Sequence, residues 1–100
     1  AIVAHVGAAG RVVEAYGGHG IGRAMHLDPH VAHVGRAGTG HRLREGMAFT
    51  VEPMINAGGA AVRVDADGWT VRTADGALSA QFEHTVLIGP HGPEVTSILD

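Results

Sequence analysis

Imidazole and carboxylate side chains are the ligands of hard to borderline divalent metals, and three of them stand in unusual settings in this sequence: His19, Glu52 and Glu83. His19 lies within Gly17-Gly18-His19-Gly20-Ile21-Gly22. Small neighbours there let the backbone approach another group closely and leave the ring unshielded; the plainer reading is a solvated turn histidine. Glu52 follows Phe49-Thr50-Val51 and precedes Pro53. β propensity disfavours an acid in that run and apolar neighbours desolvate it, a cost that a cation offsets; the plainer reading is an exposed glutamate on an edge strand, which Pro53 keeps open. Glu83 sits in the apolar run from Ala80 to Ile88, on the face of Gln81 and Thr85 and opposite Phe82, His84 and Val86. Glu83 and His84 therefore do not readily serve one site, and His84 reads as a supporting or packing histidine.

His26 comes seven residues after His19. A straight strand would place the two rings on opposite faces, whereas Gly20 and Gly22 allow a bend that brings them together; parity leaves both open. His5, His30, His33, His41 and His91 fall in end or loop contexts and are expected at the surface. Asp65-Ala66-Asp67-Gly68 lacks the third acidic position and closing glutamate of a calcium loop, so it reads as a turn.

The elements that must position these groups are mostly strands. Ile2, Val3 and Val6 have helical spacing and run into Gly7 and Gly10, the tail of a short helix. Val12 to Tyr16 is a brief β-branched run, and four glycines between 17 and 22 forbid a stable helix. Asp28-Pro29 is expected to force a turn, and Gly35 to Gly40 a loop. Met47, Phe49 and Val51 alternate with Ala48, Thr50 and Glu52, a half-buried strand stopped by Pro53, which points Glu52 away from Phe49. Val62, Val64, Trp69 and Val71 flank the turn at 65–68 as a hairpin, and Asp75-Gly76 marks another turn. Gln81 to Ile88 reads as the last long strand, with a short return strand at Val95 to Ile98. The fold class is α+β, mostly antiparallel sheet with one or two short helices.

Composition narrows the function. One hundred residues make one small domain, able to bury only roughly 60 to 70% of the surface its unfolded chain exposes. With 45% apolar and 17% charged residues it is globular rather than disordered. No uncharged run approaches the roughly 18 residues of a membrane span, so a soluble protein without a membrane partner is expected. The absence of cysteine removes disulfides, thiolate ligands and cysteine nucleophiles, and suits a reducing compartment. A net charge of -3, with seven Arg, no Lys and no basic cluster, argues against direct nucleic-acid binding. The chain opens at Ala1 inside an apolar pattern, so residues before it are expected.

Four stretches acquire further meaning from their order: Gly18 to His26 (GHGIGRAMH), Gly46 to Ile55 (GMAFTVEPMI), Asp67 to Val71 (DGWTV) and Leu78 to Thr85 (LSAQFEHT). Together they resemble the C-terminal half of the type I methionine aminopeptidases, over about residues 9 to 96. The resemblance implies the pita-bread fold, two pseudo-symmetric α+β halves around a dinuclear metal site, of which residues 1–100 would supply the second half. It implies that His19 is the histidine ligand, Glu52 a carboxylate ligand that also shuttles protons, and Glu83 the carboxylate bridging both metals. His26 matches a histidine that contacts substrate and steadies the tetrahedral intermediate, and Met25 and Trp69 match positions lining the methionine pocket, with Met25 where Phe is common. The cofactor would be two divalent ions, cobalt, manganese, iron or zinc, and the substrate the N-terminus of nascent polypeptides in the cytoplasm.

Two aspartate ligands and an earlier histidine of the family lie before the matched region, so the missing N-terminal half is an expected partner and these 100 residues are expected to be inactive alone. Gly17 stands where Cys is common and Glu45 where Pro is common. A proline-specific, creatinase-like hydrolase of the same fold is the alternative enzyme, but those relatives usually carry a second histidine just after the glycine loop, where this chain has Gly22-Arg23. A non-catalytic pita-bread binding module is the alternative outside catalysis; such modules typically lose the carboxylates, which Glu52 and Glu83 retain.

Overall fold

The computed structural model describes residues 1–99. One five-residue helix, α1 (Ile2–Val6), runs into a 3-10 turn (Gly7–Ala9), and ten strands follow: β1 (Arg11–Val12), β2 (Gly18–Gly20), β3 (Leu27–Val31), β4 (Ala48–Val51), β5 (Met54–Asn56), β6 (Val62–Val64), β7 (Val71–Thr73), β8 (Ser79–Gln81), β9 (His84–Gly89) and β10 (Gly92–Val95). Every pairing is antiparallel. A five-stranded sheet has the order β10-β9-β4-β2-β3, a three-stranded sheet the order β1-β5-β8, and β6 with β7 forms a separate hairpin. The α+β, mostly antiparallel architecture is the one the sequence predicts.

The two larger sheets are consecutive lengths of one ribbon. Val51 pairs with His84 and Met54 with Gln81. The intervals between these pairs are equal on the two strands, so Glu52 stands opposite Glu83 and Pro53 opposite Phe82 across a gap where the ladder is interrupted. The expected long strand from Gln81 to Ile88 is thus two strands, broken at Phe82 and Glu83. The physical reason lies partly across the ladder: Pro53 has no N–H to donate to a neighbour. On the other side of the central strand, Val13 N–H donates to Met54 O while Gly20 pairs with Phe49. More residues separate Val13 from Gly20 than separate Phe49 from Met54, and the excess at 14–17 bulges away from the ribbon. All three strands therefore open at one level.

The core is thin, as the chain length implies: Val12, Val13 and Phe49 are its buried apolar residues, joined by buried Thr50, Asn56 and His33. Asn56 is satisfied on both ends of its amide, donating to Gly59 O and accepting from Ser79 Oγ. Strand β4 buries residues of both faces at its middle rather than of one, with Phe49 7% and Thr50 0% exposed; β2 and β9 flank its edges, and the His19 backbone donates onto the Thr50 hydroxyl.

Asp28-Pro29 does not turn the chain. It lies inside β3 with a cis peptide bond, and β3 tolerates proline because it is a sheet edge, where a missing N–H leaves no neighbour unpaired. The return strand is β10, beginning three residues before the expected Val95, since Pro90-His91 suffices to bring Gly92 opposite Gly89. The hairpin at 65–68 is as predicted: Asp65 N–H donates to Thr70 O, Gly68 adopts φ 69°, and the Asp67 carboxylate accepts from Trp69 N, Thr70 N and Thr70 Oγ1. The Thr70 hydroxyl, then the Trp69 and Thr70 amides, hold that carboxyl below the usual carboxylate range.

Candidate metal centre

His19, Glu52 and Glu83 meet at the level where the ribbon opens. Each offers a ligand atom, and these atoms lie within 4.8 Å of one another. Glycine makes the approach possible: a methyl group at Gly18 would collide with the Thr50 carbonyl oxygen and one at Gly20 with the Asp28 carbonyl oxygen, so β2 packs backbone against backbone on both sides. Thr50, fully buried, links two of the candidates. Its hydroxyl accepts the His19 N–H at 3.0 Å and donates to Glu52 Oε1 at 2.9 Å.

The donor set fits a divalent cation. His19 Nδ1 lies 2.9 Å from Gly20 O, and a carbonyl can only accept, so Nδ1 carries the hydrogen. Nε2 then faces Glu52 Oε1, 3.2 Å away, an arrangement that in the neutral ring sets a lone pair against a carboxylate and repels unless positive charge lies between or beside the two atoms. Protonation of the ring would still leave one imidazolium facing two carboxylates. Like charges opposite one another across an antiparallel pair destabilise it, and the cleft beside His19 and Glu52, about 400 Å³ and lined by Ala15, Tyr16, Gly17, Gly18, His19, His26, His30, Glu52 and Met54, has no arginine among the described residues that line it. An imidazole oriented by a carbonyl, and one carboxylate, that of Glu52, oriented by Thr50 and Gln81, are the usual surroundings of a metal.

Glu52 is held at both ends. Its backbone N–H donates to His33 Nε2 at 3.1 Å, and Gln81 Nε2 donates to its carbonyl at 3.1 Å and its Oε2 at 3.2 Å. Side chains thus replace the ladder bonds lost at the break. His33, expected at the surface, is 7% exposed. Burial holds it below the ordinary imidazole value, opposed by Glu52 and assisted by His30. The signal that reveals it is alternation: Pro29, Val31 and His33 turn inward while His30 and Ala32 turn outward, so the β3 pattern continues past its last paired residue. Reading Asp28-Pro29 as a turn conceals that pattern.

The His19 and His26 rings lie 4.3 Å apart at 52°, so the bend that the glycines allow is made, with a register shift between His19 and Gly20. His30 is exposed as expected but lies in β3 rather than a loop, paired with His19 and lining the cleft. Its ring takes the space beside Gly17, where a Cβ would fall 2.5 Å from His30 Cε1. Met25 and Trp69 are 70% and 85% exposed, and neither lines the cleft. His84 is bonded to Ser97 Oγ, away from Glu83, and His5, His41 and His91 are exposed. No helix among the described residues is long and apolar enough to cross a membrane.

Against known proteins, residues 1–90 match the model of Metallopeptidase family M24. The chain is 51% identical over 88 residues to a methionine aminopeptidase of Clostridium perfringens, covering 88% of this chain and 35% of that one, and 48% identical over 87 residues to a methionine aminopeptidase of Escherichia coli K12, covering 87% and 33%. Among solved structures, methionine aminopeptidase from Rickettsia prowazekii superposes with a TM-score of 0.86 at 52% identity, covering 90% of this chain and 37% of that one; the enzyme from Thermotoga maritima gives 0.83 at 46%, covering 87% and 35%. The chain spans about a third of the length of these relatives. Its mostly antiparallel architecture is that of the pita-bread fold. The match extends over 90 residues and takes in the imidazole and both carboxylates gathered at the opened ribbon, so the chain belongs to metallopeptidase family M24.

Proposed function

We propose that the protein to which this chain belongs is a metal-dependent aminopeptidase that removes the N-terminal methionine from nascent polypeptides in the cytoplasm, with two divalent ions as cofactor. The observation that carries this reading is the meeting of His19, Glu52 and Glu83 within 4.8 Å in a chain about half identical to methionine aminopeptidases. His19 Nε2 and the Glu52 and Glu83 carboxylates would hold the ions, with two aspartates contributed from outside these 100 residues, by the N-terminal part of the same domain. Oxygen and nitrogen donors of this kind accept cobalt, manganese, iron or zinc.

Bound divalent ions supply Lewis acidity toward the scissile carbonyl and bring the pKa of water toward neutrality. Glu52, anchored through Thr50 and Gln81, takes a proton from the attacking water and returns it to the leaving amine. His26, beside His19 and exposed, donates a hydrogen bond to the carbonyl oxygen as charge develops there. Met25 and Trp69 are exposed apolar surface, available to the methionine side chain when the remainder of the domain stands over them.

The test is metal-dependent release of free methionine from a Met-Ala-Ser peptide by the full-length protein, measured with manganese or cobalt and again with EDTA. A metal-loaded protein that leaves the peptide intact overturns the reading. Residues 1–100 alone, with His19, Glu52 and Glu83 as the ligands gathered among the described residues, should bind at most one ion weakly and release no methionine.

A further inference from the structure

We propose that His33 is a positioning residue for this centre: by accepting the Glu52 backbone N–H at the level where the strand ladder fails, it determines where the Glu52 carboxylate stands. The proposal rests on the metal-binding reading above and adds to it a residue that contributes no ligand atom.

Glu52 is the last residue able to donate a backbone hydrogen before the gap, since Pro53 has none to give. A strand amide at that point would ordinarily turn to water or to a neighbouring carbonyl. Here it turns to a ring nitrogen 19 residues away in sequence, on a side chain 7% exposed. A buried imidazole has two side-chain torsions, both confined by packing, so an acceptor at Nε2 holds its partner more closely than a mobile water or a long flexible side chain does. His33 also comes two residues after the end of β3, which pairs with β2 and places His30 opposite His19. The bond to Glu52 therefore ties the segment next to the candidate histidine ligand to the strand that carries the carboxylate. Thr50 and Gln81 hold the outer end of the same side chain. With its backbone and its carboxylate both fixed, Glu52 has little rotamer freedom left, and its oxygen stays 3.2 Å from His19 Nε2.

The experiment compares wild type, His33→Gln and His33→Asn in the full-length protein. The glutamine amide oxygen reaches about as far as Nε2, whereas the asparagine oxygen ends near the position of Nδ1, so the two variants share polarity and differ in reach. Three quantities are read: hydrogen exchange of the Glu52 amide, manganese affinity by calorimetry without substrate, and the thermal midpoint of the metal-free protein. Wild type and His33→Gln should protect the Glu52 amide and bind manganese within about threefold of each other. His33→Asn should lose the protection and bind manganese about 10 to 100 times more weakly, the usual consequence of removing a group that orients a ligand. A purely structural role would lower the midpoint and the affinity of both variants alike, and that result overturns the proposal, as does His33→Asn binding manganese like wild type. Wild type carries a test of its own, since a Glu52 amide exchanging as fast as an open-loop amide overturns the proposal without any variant. Wild type that protects the amide yet binds no manganese would instead defeat the metal reading and leave the bond itself established.

Discussion

Glu52 and Glu83 face each other in one register, yet the structure treats them differently. The Glu52 side chain is 17% exposed, receives bonds from Thr50 and Gln81, and is fixed through its backbone by His33. Glu83 is exposed, and no hydrogen bond to its carboxylate forms among the described residues. Position in the sheets explains the contrast. Glu52 leaves β4, the middle strand of five, with β2 beside it. Glu83 lies between β8, an edge strand, and β9, whose other neighbour β10 reaches back only as far as Val86 in the ladder. One arm of the candidate centre is therefore preorganised by this chain, and the Glu83 arm is not.

The most severe way to break this comparison is to remove the open arm. Glu83→Gln in the full-length protein should reduce methionine release to the EDTA background while circular dichroism stays that of wild type, because a neutral amide of the same size cannot bridge two cations. More than half the wild-type rate with two metals still bound would end the bridging role. Next in size, His26→Ala should lower kcat by roughly 10² to 10³, the effect of losing one donor to developing charge, with manganese stoichiometry unchanged by calorimetry. Loss of an ion in that variant would make His26 a ligand and redraw the division between the two adjacent histidines.

The closed arm is tested more gently by Thr50→Val, which keeps the shape and deletes the hydroxyl. It leaves the His19 N–H without its acceptor, so urea unfolding should show a loss of about 1 to 3 kcal/mol, and manganese binding should weaken about tenfold. Unchanged affinity would mean that the carboxylate needs no anchoring. The smallest expected effect sharpens the contrast most. In metal-free protein, Glu83→Gln relieves the opposition of two carboxylates and should raise stability by a few tenths of a kcal/mol. Glu52→Gln should lower it, because an amide cannot accept from both Thr50 and Gln81. Equal gains in chemical unfolding would show that the two acids are equivalent, against the structure.

Much of the centre is legible in the residues themselves. An acid inside an apolar run is expensive when it is buried, so Glu52 and Glu83 stand out before any fold is known, and a histidine among glycines announces close backbone approach. The hairpin at Asp65 to Gly68 is legible for a similarly local reason, since the turn residues bond within themselves. Strand breaks are another matter. Gln81 to Ile88 has the apolar content of one strand, and only its pairing with a segment interrupted by Pro53 divides it.

The sequence by itself determined which groups stand out as candidates for chemistry, because charge, ring type and glycine content are local properties that each act through their own desolvation or steric cost. The family motifs rest on the same local wording. What only the tertiary structure decided is which of those groups meet. His33 counts as a surface histidine until the chain beyond β3 folds it inward, 7% exposed, to accept the Glu52 N–H. His26 is undecided by strand parity until the chain bends between Gly20 and Leu27. The opposition of Glu52 to Glu83 depends on a register shared by strands about thirty residues apart in sequence. Such pairings are set by long-range packing that summed over the whole ribbon, and no window of sequence around either residue contains the partner that completes it.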